Sequence, residues 1–217
     1  MHFLITAGGT REYIDPVRFI SNASSGRMGC ALARAAQKAG HRVTLISASD
    51  LQPPVGVEFV GVDSAAEMFK AVKKFFAKCD CLIMAAAVAD YTPVKQAKSK
   101  IKKTGKSLTI KLKPTTDILK WAGKHKKLRR QKTEDRRQRG QIVVGFALED
   151  KNIRARAEKK LKEKNLDMII ANTPAAIGAD KSTVQIKTPG HKWLKLPKAS
   201  KATFAKKITL MVEKRVG

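Results

Sequence analysis

Four short stretches of this chain carry residues that could do chemistry. Ser21 to Gly29 reads SNASSGRMG, small and polar residues with an asparagine, at the point where a helix begins. A helix N-terminus presents unpaired N–H groups and the positive end of its dipole, which makes it a ready anion site. Ser24, Ser25, Gly26 and Gly29 are small enough to let an anion approach that backbone, with Arg27 beside them. The competing reading is a plain serine N-cap. The spacing fits neither GxGxxG nor the phosphate-loop pattern GxxxxGKS/T. The second stretch, AAAVAD, closes an apolar run on Asp90. In an open parallel sheet ligands collect at the carboxyl ends of the strands. Alanines there leave a flat wall for a planar base or an extended chain. Asp90 could accept a hydrogen bond from a hydroxyl or help hold Mg²⁺, or it could simply occupy a turn.

The third stretch is KIKK, opened by Lys100. A lysine on a loop can close over a triphosphate and neutralise the charge that builds on departing pyrophosphate; a solvated lysine is the ordinary alternative. The fourth is a pair of strand ends, GFALE with Phe146 and Glu149, and IIANTP with Asn172. Taken singly these read as a core phenylalanine and a turn asparagine. Their shared address at one sheet edge is what recommends them. Other chemistries find no support. His2, His41, His125 and His191 have no partners for a Ser–His or Cys–His scheme, and Cys30, Cys79 and Cys81 form no metal-ligand pattern.

The elements that must position these residues alternate strand and helix. HFLITA, HRVTLISA, VEFVGV, CLIMAAAVA, QIVVGFAL and LDMIIAN read as strands, several of them continuously apolar as strands buried on both faces are. GRMGCALARAAQKAG, MFKAVKKFFAK, TTDILKWAGK and NIRARAEKKLKEKN read as helices, and Ser64 to Glu67 spells a capping box. This rhythm predicts an α/β fold: a Rossmann-like, mostly parallel sheet with helices on both faces. Asp90 to Ser107 breaks it with a lysine-rich arm, followed by LTIKLK as an exposed strand. STVQIKT and HKWLKL then form a C-terminal hairpin through Pro189–Gly190, before a closing helix.

Composition narrows the function classes. The 217 residues are 43% hydrophobic, enough to build a core. No apolar run reaches the length of a membrane span, and no signal peptide precedes the first strand, so a cytoplasmic protein is expected. Lys and Arg number 45 against 18 Asp and Glu, a formal net charge of +27. Such a field attracts nucleic acid, nucleotides and phosphorylated small molecules. KHKKLRRQKTEDRRQRG, from Lys124 to Gly140, concentrates nine basic residues against two acidic ones. No aromatic residues interleave with the basic ones as a base-stacking platform requires, so nucleic-acid binding is open but without a motif.

Taken in order, ITAGGTRE, IDPVRFISN, SSGRMG, AAAVADY, KIKK, VGFALE and DMIIAN resemble the phosphopantothenate–cysteine ligases of coenzyme A biosynthesis, in their bacterial type. The likeness runs from about Phe3 to about Asn172, and the hairpin and last helix are in keeping with it. It implies one ligase domain over 1–217, with a dimerisation flap at about 91–113 and a basic insertion at about 122–140. It further implies condensation of 4′-phosphopantothenate with L-cysteine through an acyl-nucleotide, an acyl-cytidylate where CTP is used, with release of pyrophosphate and CMP. Mg²⁺ with CTP, rather than ATP, would be the cofactor set, no flavin is expected in this chain, and the metal ligands are not specified. A homodimer is implied, as is a phosphopantothenoylcysteine decarboxylase on another chain, because no such domain precedes Met1.

The resemblance also assigns residues. Asn22 and Lys100 are the catalytic pair, Asn22 engaging the acyl-nucleotide and Lys100 the phosphates. Gly8, Ser24, Gly26 and Gly29 fall on the nucleotide-phosphate cradle. Met84, Ala85, Ala86 and Asp90, then Asp117, Ile118 and Leu119, then Phe146, Lys160, Lys164 and Asn172 complete the nucleotide contacts. Arg18, Asn22, Ala86, Ala87 and Asp90 fall on the phosphopantothenate site, with Arg18 reaching into the neighbouring protomer. The loop from Arg11 to Ser21 becomes a dimer and substrate element. The sequence departs from the family at Thr116, where proline is usual, at Asp150, where threonine is usual, and in the length of its basic stretch. Two other classes compete: a nucleic-acid-binding Rossmann-like protein without turnover, and an NAD(P)-dependent oxidoreductase. The second lacks close-set glycines and a Tyr–Lys pair, and Asp50 is poorly placed to bind a ribose.

Overall fold

A computed structural model describes residues 1–126 and 140–216. Most of the expected basic insertion, 127–139, therefore lies outside the described residues. In chain order the elements are β1 (His2–Ala7), β2 (Arg11–Tyr13), β3 (Phe19–Ser21), α1 (Arg27–Lys38), β4 (Arg42–Ser47), β5 (Glu58–Gly61), α2 (Ala65–Phe76) and β6 (Cys81–Met84). They continue with β7 (Tyr91–Pro93), β8 (Leu112–Pro114), α3 (Ile118–His125), β9 (Ile142–Leu148), α4 (Ile153–Glu163) and β10 (Met168–Asn172). A 3₁₀ turn (Pro174–Ala176), β11 (Lys181–Lys187), β12 (Leu194–Ser200) and α5 (Lys201–Val216) end the chain.

Among the described residues the main sheet has eight strands in the order β12-β11-β10-β9-β6-β1-β4-β5. The six strands from β10 to β5 run parallel, and β11 and β12 add an antiparallel hairpin at the β10 edge. The mostly parallel α/β sheet and its terminal hairpin are thus as the sequence predicts. β1 lies at the centre and every one of its residues is buried. Phe3, Ile5 and Ala7 face one layer, with Leu32 and Ala36 of α1 and Phe204 and Ile208 of α5. Leu4 faces the other, with Met68 and Val72 of α2, Ala122 of α3 and Leu161 of α4. Covering both faces is what makes a strand read as an unbroken apolar run rather than an alternating one. The capping box at Ser64 and Glu67 is formed and starts α2.

Four sequence expectations need correction. Arg11 to Ser21 is a β2–β3 hairpin rather than an open loop. The run CLIMAAAVA is a strand only to Met84. Beyond it only an isolated bridge between Ala87 and Gly9 continues the pairing, and side chains take the N–H groups on either side: Ala86 N–H donates to Thr6 Oγ1 at 3.2 Å and Ala89 N–H to Thr10 Oγ1 at 2.9 Å. LTIKLK pairs only through Leu112–Pro114, opposite Tyr91–Pro93, because its earlier residues have no sheet to cover and Leu108 stays exposed. The hairpin's last strand is also displaced, opening at Leu194 and running through Pro197 to Ser200.

Candidate functional site

After β1 the chain crosses one face of the sheet through α1; after β6 it returns on the opposite face through α3. Reversal of direction between adjacent parallel strands opens a crevice at their carboxyl ends. Here that crevice is a cavity of about 570 Å³.

Its first wall is the start of α1. Gly26 is the N-cap residue, in the left-handed conformation at φ 75°, and no side chain caps the helix. The serine-cap reading is therefore wrong. Ser24 and Ser25 line the cavity instead, and the first N–H groups of α1 keep their capacity for an anion. Both a positive φ and crowding demand glycine at position 26, where a Cβ would lie 2.5 Å from Ser49 Oγ. Gly29, one turn along, has no such φ. A Cβ there would fall 2.4 Å from Ala7 Cβ and 2.8 Å from the Thr6 carbonyl oxygen, so the residue sets how closely α1 approaches β1.

The second wall is Met84 to Val88, where β6 has ended, together with Asp90. Asn22 is fastened to it: Nδ2 donates to the carbonyls of Val88 at 3.0 Å and Ala87 at 3.4 Å. The third wall is cationic. Lys160 on α4 and Lys164 at its C-cap, one turn further, both reach the cavity. Lys160 Nζ donates to the Phe146 carbonyl at 2.9 Å, and Lys164 Nζ pairs with Asp117 Oδ2 at 2.7 Å. Burial, then the neighbouring Lys164 charge, lowers the Lys160 pKa below that of an ordinary lysine. Burial pushes the Asp117 carboxyl up, but the Lys164 hydrogen bond, the Lys120 N–H it caps and the charges of Lys164 and Lys160 outweigh this. Its pKa ends below the usual carboxylate value. Ile118 and Leu119 follow Asp117 into the same wall.

At the far end sits Asn172, closing β10. Its Oδ1 is buried with no hydrogen-bond partner among the described residues, an acceptor that a ligand's donor could satisfy. Ile170, Val184, Phe204 and Ile208 make this end apolar. Sequence reasoning missed it, since the face of α5 that reaches the cavity reads like any core face.

The structure thus gathers into one cavity Asn22, Ser24, Gly26, Met84, Ala85, Ala86, Ala87 and Asp90 from the first half of the chain. From the second half come Asp117, Ile118, Leu119, Phe146, Lys160, Lys164 and Asn172. Four expected residues stand apart. Gly8 and Gly29 lie behind the wall, packed against Ser49 and against β1. Arg18 is on the β2–β3 turn, bonded to Asp15 and to the Ile101 carbonyl, and Lys100 is beside Ile101 on the lysine-rich arm.

Among the described residues no cluster of His, Cys, Asp or Glu could hold a metal ion. Of the acids lining the cavity, Asp117 pairs with Lys164 and Glu149 with Arg156 at 3.2 Å, while the Asp90 carboxylate makes no ion pair among the described residues. That donor set suits Mg²⁺ carried in on ligand phosphates with one protein carboxylate, not a protein cage. Among the described residues no helix is long and apolar enough to cross a membrane.

Comparison with known proteins agrees with this architecture. The family model for the DNA/pantothenate metabolism flavoprotein C-terminal domain matches residues 1–215. The coenzyme A biosynthesis bifunctional protein CoaBC of Bacillus subtilis (strain 168) is 47% identical over 198 residues, covering 88% of this chain and 46% of that protein. The crystal structure of the C-terminal domain of a CoaBC superposes with a TM-score of 0.78 at 37% identity, covering 98% of this chain and 96% of that one. A Cab2 mutant in complex with phosphopantothenate-cysteine shares the fold at a TM-score of 0.77 and 17% identity, over 99% of this chain and 86% of that one. The chain spans about half the length of the curated relatives it matches.

Proposed function

The chain belongs to the DNA/pantothenate metabolism flavoprotein C-terminal domain family, and on that premise we propose that it is a phosphopantothenate–cysteine ligase of coenzyme A biosynthesis. In the first half-reaction a carboxylate oxygen of 4′-phosphopantothenate attacks the α-phosphorus of CTP, and pyrophosphate leaves. In the second, the amine of L-cysteine attacks the acyl carbon; an amide forms, the bond to CMP breaks, and the amine gives up a proton. The observation that carries this reading is one juxtaposition. The uncapped start of α1 opens onto the cavity that Lys160 and Lys164 also line, at the switch point of a parallel sheet.

The chemistry needs little that the cavity lacks. Helix N–H groups and lysines stabilise a charge-dense leaving group because they are oriented before the reaction begins. The alanine wall, Met84 to Ala87, suits a base and an extended acyl chain without adding charge. Asn22, held over that wall by the Ala87 and Val88 carbonyls, stands at the acyl-nucleotide. Asn172 Oδ1 takes a donor from the nucleotide. Mg²⁺, when bound with the nucleotide, would neutralise triphosphate charge, with Asp90 as the protein group available to it. Arg18 and Lys100 lie outside the cavity and serve it from the hairpin and flap, Arg18 in the neighbouring protomer. Val17, Phe19, Tyr91, Val94, Leu108 and Leu112 are exposed apolar side chains concentrated on those two segments, and they supply the surface for a homodimer.

The test is pyrophosphate release from the purified chain with phosphopantothenate, Mg²⁺ and either CTP or ATP, with and without cysteine. Release that requires phosphopantothenate and prefers CTP is the expected result. No release with either nucleotide, from folded protein, would refute the proposal.

A further inference from the structure

Asp15 is fully buried on the turn between β2 and β3, although it is charged. Its Oδ1 accepts the N–H groups of Val17 and Arg18, both at 2.9 Å, as a turn aspartate commonly does. Its Oδ2 does something a turn does not require. It accepts from Arg18 Nε at 3.0 Å and Nη2 at 2.6 Å, and from the Ile101 N–H at 3.1 Å, 86 residues away in sequence. Arg18 Nη2 closes the ring by donating to the Ile101 carbonyl at 2.7 Å. A second tie runs beside it, from Ala97 N–H to the Ile14 carbonyl at 2.9 Å. Between Lys98 and Leu108 the arm has no regular structure of its own. Among the described residues, its hydrogen bonds to the rest of the chain beyond the β7–β8 ladder are these contacts with the hairpin turn.

We infer that Asp15 is a positioning residue that latches the lysine-rich flap to the β2–β3 hairpin, so that Lys100 and the guanidinium of Arg18 are set in place by one buried carboxylate. The inference rests on the ligase reading for what those two cations do, but not for the latch itself. A buried carboxylate is tolerated only when paired and hydrogen-bonded throughout. Burial pushes the Asp15 carboxyl up; Arg18 and the N–H groups of Val17, Ile101 and Arg18 more than reverse it, so the group stays ionised through neutral pH. Lys100 is the residue next to the anchored Ile101, which limits how far its side chain can be displaced. Arg18 is gripped along the Nε–Nη2 edge.

Two variants break the latch from opposite sides. Asp15→Asn removes the charge that Arg18 and Ile101 share. Ile101→Pro removes the bridging N–H and leaves the hairpin turn untouched. Hydrogen exchange over residues 95–104, followed by mass spectrometry, is expected to quicken roughly tenfold in both, the factor for one lost charge-assisted bond. In pyrophosphate release Asp15→Asn should lower kcat roughly tenfold with little change in the KM for nucleotide, and Asp15→Asn/Lys100→Gln should lose less than the product of the two single losses. Unchanged flap exchange in both variants, or full multiplication of the two rate losses, would overturn the latch. A wild-type chain that releases no pyrophosphate, with faster flap exchange in both variants, would keep the latch and discard the ligase.

Discussion

Gly29→Ala should be the most informative single substitution in the cavity wall at the start of α1, although Gly29 does not line the cavity. The added Cβ would stand 2.4 Å from Ala7 Cβ, 2.8 Å from the Thr6 carbonyl oxygen and 3.0 Å from Ala7 Cα. Carbon atoms in contact settle at about 3.5–4 Å, so α1 and β1 must separate by roughly an ångström. Nothing nearby can rotate away, because two of the three obstructing atoms are backbone of the central strand. Overpacking of this kind costs about 1–3 kcal/mol, against which alanine returns about 1 kcal/mol of helix propensity. The net loss, about 0–2 kcal/mol, corresponds to a fall of at most roughly 8 °C in Tm for a chain of this size. Activity should suffer more than stability. The start of α1 moves with the helix, and an ångström of misplacement at a reacting centre can cost on the order of a hundredfold in rate.

Thermal denaturation and pyrophosphate release, measured on the same preparation, separate the two effects. Gly40→Ala is the control. Gly40 also sits at positive φ, 81°, but a Cβ there meets nothing within 4 Å. It should lose about 1 kcal/mol from backbone strain alone and keep full activity. If Gly29→Ala were as stable as the parent and released pyrophosphate within twofold of it, close approach of α1 to β1 could not be what positions the cradle.

Lys160→Met should weaken nucleotide binding roughly tenfold while changing stability by less than about 1 kcal/mol, since the buried charge it removes was itself costly; calorimetric titration and urea denaturation test both. The pH dependence should carry two opposite signs. The Lys160 pKa is lowered in the folded chain, so between that value and the ordinary lysine pKa the unfolded chain holds more protons, and the group's contribution to stability rises with pH. Over the same window the amine loses its charge, and nucleotide affinity should fall; affinity that stayed flat across that whole window would remove Lys160 from the phosphate contacts. Asp117→Asn should keep the α3 cap, because an asparagine oxygen still accepts from Lys120 N–H, yet leave Lys164 without its 2.7 Å partner. A loss of about 1 kcal/mol in urea is expected, and none would mean the pair is already solvated. Phe19→Glu, on the exposed apolar surface of the hairpin, should yield a monomer by light scattering with unchanged helical content.

The strands at the middle of the sheet could be read from sequence because double burial leaves a mark: HFLITA, QIVVGFAL and LDMIIAN are apolar at nearly every position, and all three form where expected. α2 could be read from its capping box, whose two hydrogen bonds are local. What escaped is decided by partners far away in sequence. Nothing in AAAVAD marks Met84 as the last ladder residue, since the acceptors that draw off Ala86 and Ala89 are hydroxyls on Thr6 and Thr10. Three-residue strands such as β2 and β3 are too short to display a period. Ser24 and Ser25 look like caps until φ at Gly26 is known.

The same division explains the candidate site. Its address was legible, because an open parallel sheet brings the ends of β6, β9 and β10 to one edge whatever the loops do. Which residues touch the cavity and which merely hold the wall was not. Gly8 and Gly29 sit within the motif that resembles a phosphate cradle, yet the cavity is formed in front of them. They belong to it through the packing they permit, one against Ser49 and one against Ala7. A motif records every position that cannot vary, whether the reason is a ligand or a neighbouring strand. Only the distance from each would-be Cβ to its nearest atom separates the two. At Gly29 that atom belongs to the central strand, and this is why its substitution tests the fold and the chemistry together.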